Sequence, residues 1–209
     1  MKKSLMCLIM SVLSAPAIFA QDRDYVRPPS VGISFFLNDY ATAQRIRSTS
    51  LTAVVRDKQI AKFREMSPGI ALSYYQGLRN NIDFAGTLAG SFTDVPLPNQ
   101  FSGSSDKFLL EADASVHFKL LSDKYFFTPF INLGIGASRY NKKSGAFIPL
   151  GLGLKFNFFN EAALLLNSQY RVALTQESAA YHFFNSIGIA GVVGKRKEQP
   201  VKTVDLPQQ

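Results

Sequence analysis

Every second residue from Phe108 to Leu120 is apolar: Phe108, Leu110, Ala112, Ala114, Val116, Phe118 and Leu120. The positions between them hold Leu109, Glu111, Asp113, Ser115, His117 and Lys119. A period of two is the signature of a β-strand, whose successive side chains point to opposite faces. A strand at the surface of a water-soluble sheet buries its apolar face and leaves its charged face in water. Here the apolar face is uninterrupted, and the other carries both signs of charge and a histidine. No other feature of the chain restricts its fold as tightly.

The pattern recurs. NIDFAGTLAGSF (81–92) sets Ile82, Phe84, Leu88 and Phe92 against Asp83, Thr87 and Ser91. PFINLGIGAS (129–138) sets Ile131, Leu133 and Ile135 against Asn132, Gly134, Gly136 and Ser138. IPLGLGLKFNFF (148–159) opposes Leu150, Leu152, Leu154 and Phe156 to Gly151, Gly153, Lys155 and Asn157. In EAALLLNSQYRVALT (161–175), Leu164, Leu166, Tyr170 and Val172 share a face interrupted only by Ser168, with Asn167, Gln169 and Arg171 opposite. YHFFNSIGIAGVV (181–193) sets Phe183, Ile187, Ile189 and Val193 against His182, Ser186, Gly188 and Ala190. With VGISFFL (31–37) and PGIALSYY (68–75), eight strands result.

One face of these strands is too continuously apolar for a wetted surface, and the other too charged and glycine-rich for a sandwich core. Both faces make sense if the apolar side meets lipid and the polar side fills a closed barrel. The predicted fold is therefore all-β, an eight-stranded antiparallel up-and-down transmembrane β-barrel over residues 31–194. Asp83, Glu111, Asp113, His117, Lys119, Lys155 and Arg171 are predicted to point inward as a lumen charge network. Asp83 and Lys119 fall near one end, with Glu111 and Asp113 at the level of Arg171. Phe130, Phe147 and Leu165 also face inward, so the glycine gaps are predicted to be filled from opposite walls.

The N-terminus supplies the compartment. Lys2 and Lys3 precede the apolar run LMCLIMSVL, then SAPAIFA, and polarity returns at QDRDY. That is the architecture of a secretory signal peptide, predicted over 1–20 with cleavage after Ala20 or, alternatively, Ala17. Its loss takes the formal charge from +8 to +6 and removes Cys7, the one cysteine, so disulfide and thiol chemistry are excluded. A segment 21–30 leads into the barrel and a basic tail 195–209 follows it. With the N-terminus in the periplasm, QGLRNN (76–81), SDK (122–124) and the residues near Asn160 are the periplasmic turns. The outer loops are 38–67, 94–106, RYNKKSG (139–145) and TQESAA (175–180). Short turns on one side and long loops on the other suit the outer membrane of a Gram-negative bacterium. Phe84, Phe118, Phe156 and Phe158 gather at one end of the outward face, Phe92, Phe108 and Phe183 at the other, where aromatic girdles sit.

The run TPFINLGIGASRY, PLGLGLKF, LLLNSQYRV, NSIGIAGVV resembles the second half of the eight-stranded OmpA-like outer-membrane β-barrel family. The resemblance covers residues 125–194, and the first half loosely; its motifs speak for architecture and hardly for activity. The closing strand departs from the family in ending on glycine and KRKEQ rather than a terminal aromatic. The tail KRKEQPVKTVDLPQQ is too short to be the peptidoglycan-binding domain that many relatives carry, so cell-wall binding does not transfer.

Asp113, Ser115 and His117 are an acid, a nucleophile and a base on one face, but alternate strand positions lie roughly 6.5–7 Å apart, a poor fit to a Ser–His hydrogen bond. His182 with Glu177 and Ser178 forms a second, weaker grouping. Two histidines and no mature cysteine make no metal constellation, and no cofactor is expected. The 38–67 loop contains Ala-rich, partly helical turns, with Leu51, Val54, Val55 and Phe63 roughly on one side. Arg45, Arg47, Arg56, Lys58, Lys62 and Arg64 give it a net charge of +3 against Asp39, Asp57 and Glu65, and are the candidate surface-contact residues. Two readings stand, a solvated loop over the barrel mouth and a surface helix resting on lipopolysaccharide phosphates or a protein partner. Scattered positive charge without a matching motif argues against nucleic acid. The expectation is an integral outer-membrane protein, structural or partner-presenting and without catalysis. An outer-membrane lipid hydrolase of deacylase or phospholipase type and a narrow channel are the alternatives.

Overall fold

Eight antiparallel strands hydrogen-bond in chain order, and the last returns to the first to close the sheet. They are β1 (Ser30–Asp39), β2 (Ser67–Arg79), β3 (Ile82–Phe92), β4 (Phe108–Lys119), β5 (Phe127–Tyr140), β6 (Lys143–Phe158), β7 (Ala162–Ala173) and β8 (His182–Val192). The computed structural model describes residues 26–93, 108–140, 143–158, 161–175 and 179–193. The expected signal peptide 1–20, the expected tail 195–209, the loop 94–107, Glu177 and Ser178 lie outside the described residues. Closure runs from Ser30 opposite Val192 to Asp39 opposite Phe183, so neither β1 nor β8 offers an unpaired edge.

The alternation puts charge inside and hydrocarbon outside. Along β4, Glu111, Asp113, Ser115, His117 and Lys119 are buried, while Phe108, Leu110 and Phe118 are exposed. Around the outer wall Ile135 is 71% exposed, Leu152 66% and Ile189 62%, an apolar belt that water would not tolerate. This is the lipid face of a transmembrane barrel. No helix of the described residues is long and apolar enough to cross a membrane.

Several boundaries move. β2 continues to Arg79, so most of the expected turn 76–81 is strand. β5 and β6 remain paired to Tyr140 opposite Lys143, which converts the expected loop 139–145 into the end of a long hairpin. The polar residues there were misread because a strand projecting beyond the membrane has no need of an apolar face. The first loop is partly helical, with α1 (Tyr40–Ser48), α2 (Leu51–Arg56) and a 3₁₀ turn (Phe63–Glu65). Asp39 and Ser50 cap the two helices, accepting from the amides of Thr42 and Ala53 at 2.8 and 3.2 Å. The apolar side expected for this loop does not form. Of those four residues Val54 alone is buried, while Leu51, Val55 and Phe63 are exposed, because α2 has six residues and buries one position.

Lumen glycines are covered differently from the expectation. The Phe130 ring of β5 lies over Gly153 of β6, and Phe147 of β6 lies over Gly136 of β5. Each phenylalanine is the register partner of the glycine it covers, so the filling comes from the adjacent strand and not the opposite wall. Directly paired residues stand close enough for an aromatic ring to lie across a missing side chain. Gly153→Val is therefore expected to cost about 1–3 kcal/mol by overpacking. Gly191→Ala, where an added Cβ meets nothing within 4 Å, should stay within about 0.5 kcal/mol; urea titrations in lipid vesicles would measure both.

Candidate functional site: a filled lumen

The barrel interior is stacked in layers. At the turn end, Lys119 Nζ lies 2.6 Å from Asp83 Oδ1 and 2.7 Å from Asp123 Oδ2. Lys155 Nζ lies 3.1 Å from Asp83 Oδ2 and 2.6 Å from Asp123 Oδ1. Two ammoniums and two carboxylates thus alternate in a neutral square whose side chains are at most 3% exposed. Asp83 comes from β3, Lys119 from β4, Lys155 from β6 and Asp123 from the turn between β4 and β5. Arg27, in the segment before β1, donates from Nε to Ser30 Oγ at 3.0 Å and stands over the Tyr75 ring, covering this end.

Asp123 was missed from the sequence because it interrupts no alternation. It sits in a turn, and only the closed barrel bends it back under Lys119. Burial by itself would raise its pKa, but Lys155 and Lys119 outweigh that and hold the carboxyl below its ordinary value.

The middle layer holds no carboxylate, lysine or arginine, and its one titratable imidazole is that of His117. His117 stacks on Phe130, ring centroids 4.5 Å apart. Its Nε2 lies 3.4 Å from Ser115 Oγ, so the two do touch, against the distance argument from the strand repeat. Side chains two apart on a strand lean along it, and that shortens the gap between their tips. No catalytic triad results, since Asp113 is engaged elsewhere and both Ser115 and His117 are buried. Asn132 Nδ2 donates to Asn167 Oδ1 at 3.0 Å. The space left among Ser73, Tyr75, Thr87, His117 and Gln169 amounts to about 20 Å³, enough for a single water.

The loop end is organised around Arg171, which is fully buried. Its Nη2 donates to Asp113 Oδ2 at 3.0 Å, and its Nη1 lies 2.7 Å from Glu111 Oε2 as an ion pair off hydrogen-bond geometry. The guanidinium is held over Phe184 at 3.8 Å and Phe147 at 4.8 Å. His182 donates from Nδ1 to the Ala180 carbonyl at 2.9 Å and presents Nε2 to Glu111 Oε1 at 3.4 Å. Above them Tyr40 of α1 packs on Leu109 and Tyr140 and lies 4.8 Å from the His182 ring, so the first loop seats a stopper on the mouth. Tyr40 joins this layer without a sequence signal, since it belongs to a loop; the alternation turns His182 inward but groups it with Glu177 and Ser178 of the preceding loop and not with Glu111.

The basic residues of the first loop lie outside this interior. Arg45 binds Glu65 at 3.2 Å and the Gln59 carbonyl at 3.0 Å, and Arg47 stacks over Tyr181 at 3.7 Å. Arg56 pairs with its neighbour Asp57 at 2.8 Å. Lys58, Lys62 and Arg64 are exposed. Arg45 and Arg47 therefore fold the loop down, while the other four face outward.

Among the described residues no group of three or more His, Cys, Asp or Glu is placed to hold a metal ion. Breaking a buried ion pair on one side strands the other charge at about 3–5 kcal/mol, whereas an exposed pair is worth about 0–1 kcal/mol. Arg171→Ala is expected to lower the melting temperature far more than Arg45→Ala. Asp123 has its pKa depressed in the folded state, so its contribution is full at neutral pH and lost as pH falls through that depressed value. Asp123→Asn should accordingly destabilise the barrel at pH 7, with the deficit to wild type narrowing in acid; unfolding titrations at several pH values would read it.

No family model matches the chain, and no curated protein matches it. Among solved structures, Neisserial surface protein A (NspA) is 12% identical, covers 81% of this chain and 100% of its own, and superposes with a TM-score of 0.50. The N-terminal β-barrel domain of Pseudomonas aeruginosa OprF is 14% identical over 80% of this chain and 98% of its own, with a TM-score of 0.45. The attachment invasion locus protein Ail of Yersinia pestis is 14% identical over 78% and 95%, with a TM-score of 0.42. At such identities the likeness is one of fold, and NspA carries it: the chain has the architecture of a small eight-stranded outer-membrane barrel.

Proposed function

We propose that the protein is an integral outer-membrane barrel with a structural or loop-presenting role, neither enzyme nor channel, exported by cleavage of the 1–20 signal peptide. The observation that carries this reading is the lumen. Two ion-pair layers, an aromatic layer and the Tyr40 stopper fill it from end to end, with room for about one water between. A path for ions would need the Arg171 and Lys119 clusters dismantled together. An acyl chain has no route to Ser115. Activity in such a molecule belongs to its surfaces, namely the apolar belt that anchors it in lipid and the loop end displayed to the exterior.

The basic first loop is the natural point of contact. Arg56, Lys58, Lys62 and Arg64 present cationic charge beside the barrel mouth, suited to phosphates of lipopolysaccharide or to an acidic face of a protein partner. Electrostatic attachment of this kind weakens as salt rises.

The protein is expected to fractionate with the outer membrane and to migrate differently on SDS gels before and after boiling; recovery from the soluble periplasm would end the reading. Purified protein in planar bilayers should give no stable conductance, and reproducible current steps would make it a channel. Ester hydrolysis lost on Ser115→Ala would make it an enzyme.

A further inference from the structure

The outer wall carries a polar interruption. Ser168 of β7 stands between outward Leu166 and Tyr170, and Asn185 of β8 between outward Phe183 and Ile187; the two are register partners. Ser168 Oγ donates to Asn185 Oδ1 at 2.6 Å, which leaves the Asn185 amide NH₂ without a partner among the described residues. Hydrocarbon offers nothing to such a donor, and an unmet amide there is costly. The pair opens into a groove of about 550 Å³ walled by Phe35, Leu37, Leu152, Leu154 and Ile187, with Phe63 of the first loop at its rim. That volume falls within the range of small-molecule sites. Phe63 is 80% exposed and is flanked in the chain by exposed Lys62 and Arg64.

Resting on the outer-membrane reading above, we propose that this groove binds a lipid of the facing leaflet with an anionic headgroup and a carbonyl-linked acyl chain. The chain lies along Leu152, Leu154 and Ile187. The ester or amide carbonyl accepts from Asn185 Nδ2. The headgroup phosphate meets Lys62 and Arg64. Depth supports the match, since Asn185 lies two residues, about 6.6 Å along the strand, below the girdle aromatic Phe183. That is where a lipid passes from headgroup linkage to hydrocarbon. A second barrel laid against this wall fits less well, because a two-fold contact would bring Phe63, Lys62 and Arg64 of both copies together, cation against cation.

The chain contains no tryptophan, so a single one introduced on the wall reports without background. Leu154→Trp samples the groove and Ile135→Trp, on β5, the ordinary lipid face. Both are reconstituted in phosphatidylcholine vesicles containing a minor fraction of phosphatidylglycerol brominated on its chains. The groove tryptophan should be quenched at a lower fraction of brominated lipid than the reference. Asn185→Leu should weaken that preference about fivefold, the worth of one hydrogen bond, and Lys62→Ala with Arg64→Ala should abolish it. Equal quenching at both positions overturns the proposal. So does a shielded groove tryptophan in a protein that runs as a dimer, which would give the wall to a second copy. Absence of quenching at both positions would take the barrel out of the bilayer and remove the outer-membrane reading with it.

Discussion

The pairing of β1 with β8 is the constraint on which everything else rests. Inside a bilayer each backbone amide and carbonyl must find a partner within the protein, so a sheet is admissible there only when it has no edge. Closing the sheet at eight strands also sets its bore, just wide enough to be occupied by the barrel's own side chains. The lumen and the lipid face then become separate environments selected by residue parity. Each strand solves both at once by alternating.

Polarity in the lumen raises an energetic question, since buried charges are costly to desolvate. The structure meets that cost by setting a cationic side chain beside each carboxylate. Asp83 and Asp123 each face both Lys119 and Lys155, and Glu111 and Asp113 share Arg171, with His182 beside Glu111. The two clusters also tie distant parts of the sequence together: β7 to β4 through Arg171, β4 and β6 to one turn through Asp123, and both to β3 through Asp83. They sit at opposite ends of the lumen, where they lock the cylinder against shear. The apolar material between them, chiefly Phe130, Phe147, Leu165 and Phe184, fills volume and shields the ion pairs from water.

The exterior follows a simpler rule, which is broken toward the loop end of β7 and β8. Leucine, isoleucine, valine and phenylalanine cover the wall, and the Ser168–Asn185 pair disturbs it. In a barrel whose interior is closed to ligands, a polar group on the lipid side is where recognition has room to operate. The first loop bends toward the same side, with Phe63 reaching the groove while Tyr40 stops the mouth.

The sequence by itself determined the fold class, the strand count and which side chains share a face along the membrane-spanning part of each strand. A period of two leaves the backbone no choice about which side chains share a face, so Glu111, Asp113, His117 and Lys119 had to be inward once Phe108, Leu110 and Phe118 were outward. Strand ends were less legible, because β2, β5 and β6 project past the hydrocarbon and there the alternation loses its apolar half. What only the tertiary structure decided is which residues meet across the closed sheet. Asp123 under Lys119 and Lys155, Tyr40 over His182, Phe130 across Gly153 and the contact of Ser115 with His117 all depend on register, strand tilt and side-chain lean. Those quantities are fixed by hydrogen bonds between strands far apart in the chain. A one-dimensional pattern records the face of each residue but not its neighbour across the lumen.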